Sequence, residues 1–267
     1  MWTTTRIGPS PALALDEMGR GPLVVFLHGV GGNRSNWHDN LPAFAAYFHA
    51  VAWDARGYGG SEDPAGPVAF TDYRDDLFRV LDHFGAERAH LVGLSMGGRI
   101  ALAFHAAAPE RVASLTLCDT HLGFRHLSAE DRAKFIAKRA EPLLAGKTPA
   151  DIAPRLARTL IGDPAHTEAL AKLVASMEAL RTAPYLAAIR ASTEEDLDPL
   201  VEGVAVPTLV LAGALDRVTP PSLAEAIVAR IAGAKLAIIE DAGHLSNIEA
   251  PEAFNRVVLA FLAEIEG

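Results

Sequence analysis

Gly93-Leu94-Ser95-Met96-Gly97 decides the reading of this chain. It follows the apolar run Ala89-His90-Leu91-Val92 and precedes an alanine-rich, helically spaced stretch that ends at Pro109. Gly-x-Ser-x-Gly between a strand and a helix is the pattern of a nucleophile elbow, a sharp turn that lifts a serine hydroxyl above the end of a sheet. The turn forces the central residue into a strained backbone conformation, and the flanking glycines remove side chains that would strike the neighbouring strand and helix. The bland alternative is a glycine-rich turn whose serine merely caps the helix. The elbow reading puts Ser95 Oγ in the open, with the Met96 backbone N–H beside it at a helix N-terminus.

The segments around the elbow alternate in type. Leu23-Val24-Val25-Phe26-Leu27 is a continuous apolar run, as expected of a strand buried on both faces. Strands are also predicted at Phe48–Trp53, Ala89–Val92, Ser114–Cys118, Thr208–Ala212 and Lys235–Ile239. Helices are predicted from Asp72 to Phe84, after Ser95, from Ser222 to Ile231 and from Pro251 onward. Such alternation implies a mostly parallel, twisted sheet with helices on both faces. From His121 to about Leu200 the strand signals stop and helix starts repeat, at Ser128, Thr148-Pro149, Asp163-Pro164 and Thr182-Ala183-Pro184. That segment holds eleven basic and eleven acidic residues, so the rest of the chain carries the whole net charge of −9. The expected organisation is a core of residues 1–120 and 201–267 with an inserted helical cap, or lid, at 121–200.

Composition excludes several classes. Half of the 267 residues are apolar and 21% are charged, as in a globular protein with a large core. The acidic balance argues against nucleic-acid binding. No window approaches the ~18 consecutive apolar residues of a membrane helix, so no membrane association is expected. Met1-Trp2-Thr3-Thr4-Thr5-Arg6 has no charged stretch followed by an apolar one, and Cys118 is the single cysteine. A cytoplasmic location is therefore expected.

A serine nucleophile needs a base, an acid to orient that base, and donors for the oxyanion. The base is expected on the loop after the last strand, where Asp241-Ala242-Gly243-His244 offers His244. An imidazole suits the task because its ordinary pKa, ~6.5, lets it take and return a proton near neutral pH. Gly213-Ala214-Leu215-Asp216 ends an earlier buried strand and offers Asp216 as the acid, giving the chain order Ser, Asp, His. Asp119 also ends a strand and competes for the role; Asp241 reads as a turn residue. After the first buried strand, His28-Gly29-Val30-Gly31-Gly32 can turn close to a ligand, and Val30 N–H is the expected second oxyanion donor beside Met96 N–H. His28 itself reads as structural.

These residues resemble the α/β-hydrolase superfamily over nearly the whole chain, and Asp54-Ala55-Arg56-Gly57-Tyr58-Gly59-Gly60-Ser61 adds to the likeness as a structural turn. Within it, His28-Gly29…Trp37, Gly93-Leu94-Ser95-Met96-Gly97-Gly98 and His244-Leu245-Ser246-Asn247 are similar to the 3-oxoadipate enol-lactonases and related small carboxylesterases. The resemblance implies the α/β-hydrolase fold and hydrolysis of a small carboxylic ester or lactone through an acyl-enzyme, with no metal or organic cofactor. Carbon–carbon bond hydrolases and cofactor-free perhydrolases use the same triad, and a hydrolase-fold ligand receptor with slow turnover is the non-enzymatic alternative. A serine at the elbow excludes chemistry that needs an aspartate nucleophile, as in haloalkane dehalogenases. Candidate substrate contacts are Trp37, Phe124, Arg125, Leu143 and Arg190, the two arginines for a substrate carboxylate, although solvent-exposed lid arginines and, by the resemblance, a Trp37 packed behind the oxyanion loop are the plainer readings. His121 and His126 invite a metal-site reading, but no further ligand stands at a suitable spacing.

Overall fold

The computed structural model describes the chain apart from Arg125 and His126. Its strands are β1 (Thr3–Ile7), β2 (Leu13–Gly19), β3 (Leu23–Leu27), β4 (His49–Trp53), β5 (Ala89–Leu94), β6 (Val112–Cys118), β7 (Thr208–Gly213) and β8 (Lys235–Ile239). Among the described residues they form one sheet in the order β1-β2-β4-β3-β5-β6-β7-β8. From β4 through β8 neighbouring strands are parallel; β1 and β2 pair antiparallel with each other, and β2 pairs antiparallel with β4. This N-terminal hairpin was not anticipated. Its solvent-facing edge, Thr-Thr-Thr-Arg-Ile, has no apolar run, and Asp16 and Glu17 interrupt the second strand.

The expected double-sided burial is visible residue by residue. On β3, Leu23, Val25 and Leu27 join one apolar core while Val24 and Phe26 join the other. On β7, Val210 and Ala212 face the first core and Leu209 and Leu211 the second. The period of two puts successive side chains on opposite faces, so a strand covered on both sides must be apolar throughout. The first core is closed by α2 (Phe70–His83) and α3 (Met96–Ala107), the second by α1 (Leu41–Phe44) and, beyond the insertion, the C-terminal helix.

Between β6 and β7 lie α4 (Ala129–Leu144), α5 (Pro149–Leu160), α6 (Thr167–Glu178) and α7 (Thr182–Glu194). Helix α4 packs on α7 and α5 on α6. Ser128 and Thr148 cap α4 and α5 as read from the sequence, accepting from the Asp131 and Asp151 amides at 3.0 and 3.3 Å. The other two starts differ. Asp163 accepts from the Ala165 amide at 2.8 Å in a turn before α6, and α7 begins at Thr182 itself, after Arg181. An Asp can satisfy a turn amide two residues on instead of a helix end. Helix α8 (Pro221–Val228) joins β7 to β8; α9 (Ser246–Glu249) and α10 (Pro251–Glu266) follow β8.

At the elbow, Ser95 has φ +53° and ψ −114°, in the left-handed region that disfavours a side chain. A Cβ on Gly97 would overlap the Leu27 carbonyl, and one on Gly93 would overlap the Gly97–Gly98 peptide. The α3 N-terminus therefore sits on β3 and β5 with no room for a methyl group. Gly97→Ala should destabilise the protein by at least about 3 kcal/mol, because rigid backbone must move. Gly203→Ala, with open space at its Cβ, should change little. Urea denaturation of both variants checks the contrast; equal midpoints would contradict it.

Candidate active site

The strand ends bring Ser95, Asp216 and His244 to one place. Ser95 follows β5, Asp216 lies three residues past β7, and His244 stands on the loop between β8 and α9. The Ser95 side chain makes no hydrogen bond to cap α3, which removes the capping explanation for this serine. Its amide donates to Cys118 O at 2.8 Å, and its carbonyl accepts from Thr120 Oγ1 at 2.7 Å. Ser95 and His244 line the same cavity, of about 740 Å³, together with Val30 and Met96.

Behind the cavity, Asp216 Oδ2 lies 2.8 Å from His244 Nδ1. Asp216 is held from several sides. Its Oδ1 accepts from the Val218 and Thr219 amides at 2.7 and 3.0 Å, and Oδ2 accepts from Thr219 Oγ1 at 2.6 Å. Burial works against the carboxylate, but the His244 and Thr219 hydrogen bonds outweigh it and hold Asp216 below the ordinary carboxyl range. Burial likewise works against a charged His244, yet Asp216, Asp119 and Glu249 together hold the ring above its ordinary value. With Nδ1 donating to Asp216, the other ring nitrogen is left as the acceptor, the tautomer a base requires.

Asp119 occupies a separate position. Its Oδ1 accepts from Gly213 N–H at 2.8 Å, and its Oδ2 accepts from the Ser246 hydroxyl at 2.5 Å and the Ser246 amide at 3.3 Å. It thus ties β6 to β7 and α9, at a φ of +45°. Burial pushes this carboxyl up to about 7; His244 opposes the rise and Asp216 adds to it.

Val30, on the loop after β3, and Met96, at the start of α3, line the cavity beside Ser95. Gly29 O accepts from Gly32 N–H at 3.1 Å, closing a turn with left-handed Gly31 at its third position. Met96 opens α3, where the first N–H groups have no acceptor within the helix. His28 is structural, as read. Its Nδ1 lies 2.8 Å from Gly29 O and its Nε2 accepts from Ala55 N–H at 3.1 Å, which suits the neutral ring that burial favours.

The remaining sequence candidates divide. Phe124 lines the cavity, with Leu122, Phe135, Leu160 and Met177. Trp37 lines a small adjoining cleft with Val30, Ser95 and His244, and its ring is buried against Phe26 and Phe254, centroids 5.0 and 5.9 Å away, behind the Gly29–Gly32 turn. Leu143 is also set back, packed on Tyr185 and Ile189 within the insertion. Arg190 is exposed, on the outer side of α7. Arg125 and the His126 half of the metal reading lie outside the described residues. His121 packs edge-on against Phe124 at 4.5 Å.

Sequence reasoning missed Arg139 and Tyr185, which line the cavity from α4 and α7. Arg139 has no carboxylate partner among the described residues; its guanidinium lies 3.4 Å from the Phe135 ring centroid. Burial lowers its pKa, and Tyr185 opposes that. Nothing in the helical spacing of α4 distinguishes Arg139 from the other cations of that helix. Thr219 was legible in principle, three residues past Asp216.

The alpha/beta hydrolase fold family matches residues 22–251. The chain belongs to that family. A 3-oxoadipate enol-lactonase of Acinetobacter baylyi is 30% identical over 248 residues, 90% of this chain and 88% of the relative. A hydrolase from Pseudomonas aeruginosa PA01 superposes with a TM-score of 0.88 at 31% identity, covering 97% of this chain and 98% of that one. A thermophilic esterase from Thermogutta terrifontis reaches the same TM-score, 0.88, at 27% identity with 100% of both chains covered. No helix among the described residues is long and apolar enough to cross a membrane.

The two acids separate by experiment. Asp216→Asn should fold but misorient the imidazole, lowering ester turnover by up to about ten-thousandfold, whereas Asp119→Asn should cost far less. A base role for His244 requires the neutral ring, whose pKa is raised, so under that role wild-type kcat/KM should fall as pH drops through a value above ~6.5. Asp216→Asn should move that limb down. A pH–rate series on the three proteins reads both effects.

Proposed function

We propose that the protein is a serine hydrolase that cleaves a small carboxylic ester or lactone. The observation that carries this reading is the hydrogen-bonded Asp216–His244 pair on the cavity that also holds Ser95 at its left-handed turn. Ser95 Oγ attacks the carbonyl carbon while His244 takes the hydroxyl proton. The Val30 and Met96 amides stabilise the resulting oxyanion, and Asp216 stabilises the imidazolium. His244 then gives its proton to the leaving alkoxide, which departs as the bond to the acyl carbon breaks. Water, activated by the same imidazole, releases the acid and restores Ser95. No cofactor enters the scheme. Cys118, buried in β6, fits a reducing compartment such as the cytoplasm.

In this reading residues 121–200 act as a lid on a core of residues 1–120 and 201–267, and Phe124, Phe135 and Met177 bound the acyl pocket. Phosphonate labelling tests the nucleophile. Wild-type protein should be modified at Ser95, and Ser95→Ala should lose ester hydrolysis by about four to six orders of magnitude. Comparable turnover by the purified variant removes the proposal.

Arg139 favours the enol-lactonase-like form of the reading. A guanidinium that has no carboxylate partner among the described residues and donates to Phe135 O at 3.3 Å, beside the Tyr185 phenol, can offer further charge-assisted hydrogen bonds to a substrate carboxylate. Arg139→Gln should raise KM for a carboxylate-bearing lactone about tenfold or more while leaving a neutral p-nitrophenyl ester nearly unchanged. Equal effects on both substrates would assign Arg139 to lid packing.

A further inference from the structure

His244 is gripped by more than Asp216. The loop that carries it meets the helical insertion at Leu160–Gly162, where α5 ends. His244 N–H donates to Leu160 O at 2.9 Å. The amides on either side of it, Gly243 and Leu245, donate to Glu249 Oε1 at 3.0 and 3.3 Å. The other carboxylate oxygen, Oε2, accepts from Gly162 N–H at 2.8 Å. Three consecutive amides centred on His244 are thus fixed, two of them by one side chain that also reaches across to the insertion.

The junction is close. A Cβ on Gly162 would lie 2.6 Å from Gly243 N, so the two backbones touch and neither can carry a side chain without separating. Gly162 O accepts from Arg217 Nη2 at 2.9 Å, which brings the loop of the acid to the same corner. The side chain of Glu249 is fully inaccessible to solvent. Leu160, which receives the His244 amide, itself lines the cavity.

We propose that Glu249 is a positioning residue for the base: its carboxylate holds the backbone on both sides of His244 and binds that loop to the Gly162 corner of the helical insertion. It acts through His244 and does not touch substrate. The proposal rests on the reading of His244 as the base. A buried carboxylate that accepts three amide hydrogen bonds restricts a loop more firmly than a neutral group would, because hydrogen bonds to an ionised acceptor are roughly twice as strong. Its charge also reaches the ring. The charged groups facing His244 are Asp216, Asp119 and Glu249, and each favours the imidazolium. The group facing Glu249 from outside is His166, on the turn before α6, with Nδ1 3.5 Å from Oε2 and the side chain 28% exposed.

A purely structural Glu249 and a positioning Glu249 differ in what they do to the imidazole. Glu249→Gln keeps the length of the side chain, removes the charge and turns an NH2 group toward amides that are themselves donors. His244 should then titrate below wild type, read from its 15N imidazole resonances. kcat for a p-nitrophenyl ester should fall about tenfold or more with KM within about twofold, because a displaced base costs the transition state more than the bound ester. Glu249→Asp keeps the charge but withdraws it by one methylene, so its His244 titration should lie between those of wild type and Glu249→Gln. Should Glu249→Gln fail to fold, the Asp variant decides by the same resonances. A folded variant in which His244 titrates at the wild-type pH overturns the proposal, whatever its melting temperature. The titration needs no substrate. Absent turnover in the wild-type protein would therefore overturn the hydrolase reading while leaving the role of Glu249 to be judged on the resonances alone.

Discussion

The contact between Gly97 and the Leu27 carbonyl is the constraint on which the rest of the site depends. It lets α3 start directly on the end of β3, and that proximity forces the chain to turn within one residue after β5. Ser95 takes the strain of the turn in a left-handed conformation, a cost of about 1–3 kcal/mol that persists only where the surroundings determine it. Here they do: the Ser95 amide and carbonyl are tied to Cys118 O and the Thr120 hydroxyl, so β6 braces the elbow from the far side. The same geometry brings the free amides of an N-terminus beside the serine hydroxyl. The strain at Ser95 and the amides beside its hydroxyl have one cause.

A second left-handed residue, Asp119, ends the neighbouring strand and is the counterpart of this brace. Its carboxylate joins β6 to Gly213 on β7 and to Ser246 after the histidine loop, so three strand-end loops share one buried acid. Division of labour between the two acids follows from geometry. Asp216 reaches the imidazole and is stabilised as an anion by two amides and a hydroxyl; Asp119 reaches backbone and a serine, and burial raises it to about 7. Of two carboxyl groups facing one imidazole, the one with more donors, Asp216, is the easier to ionise.

How much of this was legible in the sequence depends on the range of the interactions. The parallel strands were legible because double burial leaves no polar position: Val24-Val25-Phe26 cannot be the edge of anything. The elbow was legible because a steric demand writes itself as glycine at fixed spacing. Strands β1 and β2 were not, since a half-exposed hairpin tolerates Thr, Asp and Glu at every other position and its pairing with β4 leaves no local mark. Trp37 shows the same limit from the other side. Its place beside the oxyanion turn could be read, but not that Phe254, more than two hundred residues away, would stack against it and draw it into the core. Arg139 became distinct only when α7 brought Tyr185 beside it, and Glu249 only when the α5–α6 corner met the histidine loop.

That corner bears on how the insertion relates to the chemistry. The insertion is fixed to the core at two points of different kind. At its C-terminal end the buried Arg99, from α3, donates to Ser192 O at 2.6 Å and Glu195 O at 2.8 Å, satisfying carbonyls at the end of α7 that the helix itself leaves without donors. Burial lowers Arg99 to about 10, still well above neutral pH, so the tie remains charged. At the α5–α6 corner the Gly162 amide and the Leu160 carbonyl join the histidine loop. One tie runs to the helix that follows Ser95 and the other to the loop that carries His244. Helix α4 rests on α7 and presents Phe135 and Arg139 to the cavity, which Phe124 lines from the segment before it. Side chains on α4 take part in neither tie, whereas Arg99, Gly162 and Glu249 connect directly to the segments that carry Ser95 and His244. The α4 wall of the cavity and the ties to the strand-end loops thus belong to different parts of one inserted segment.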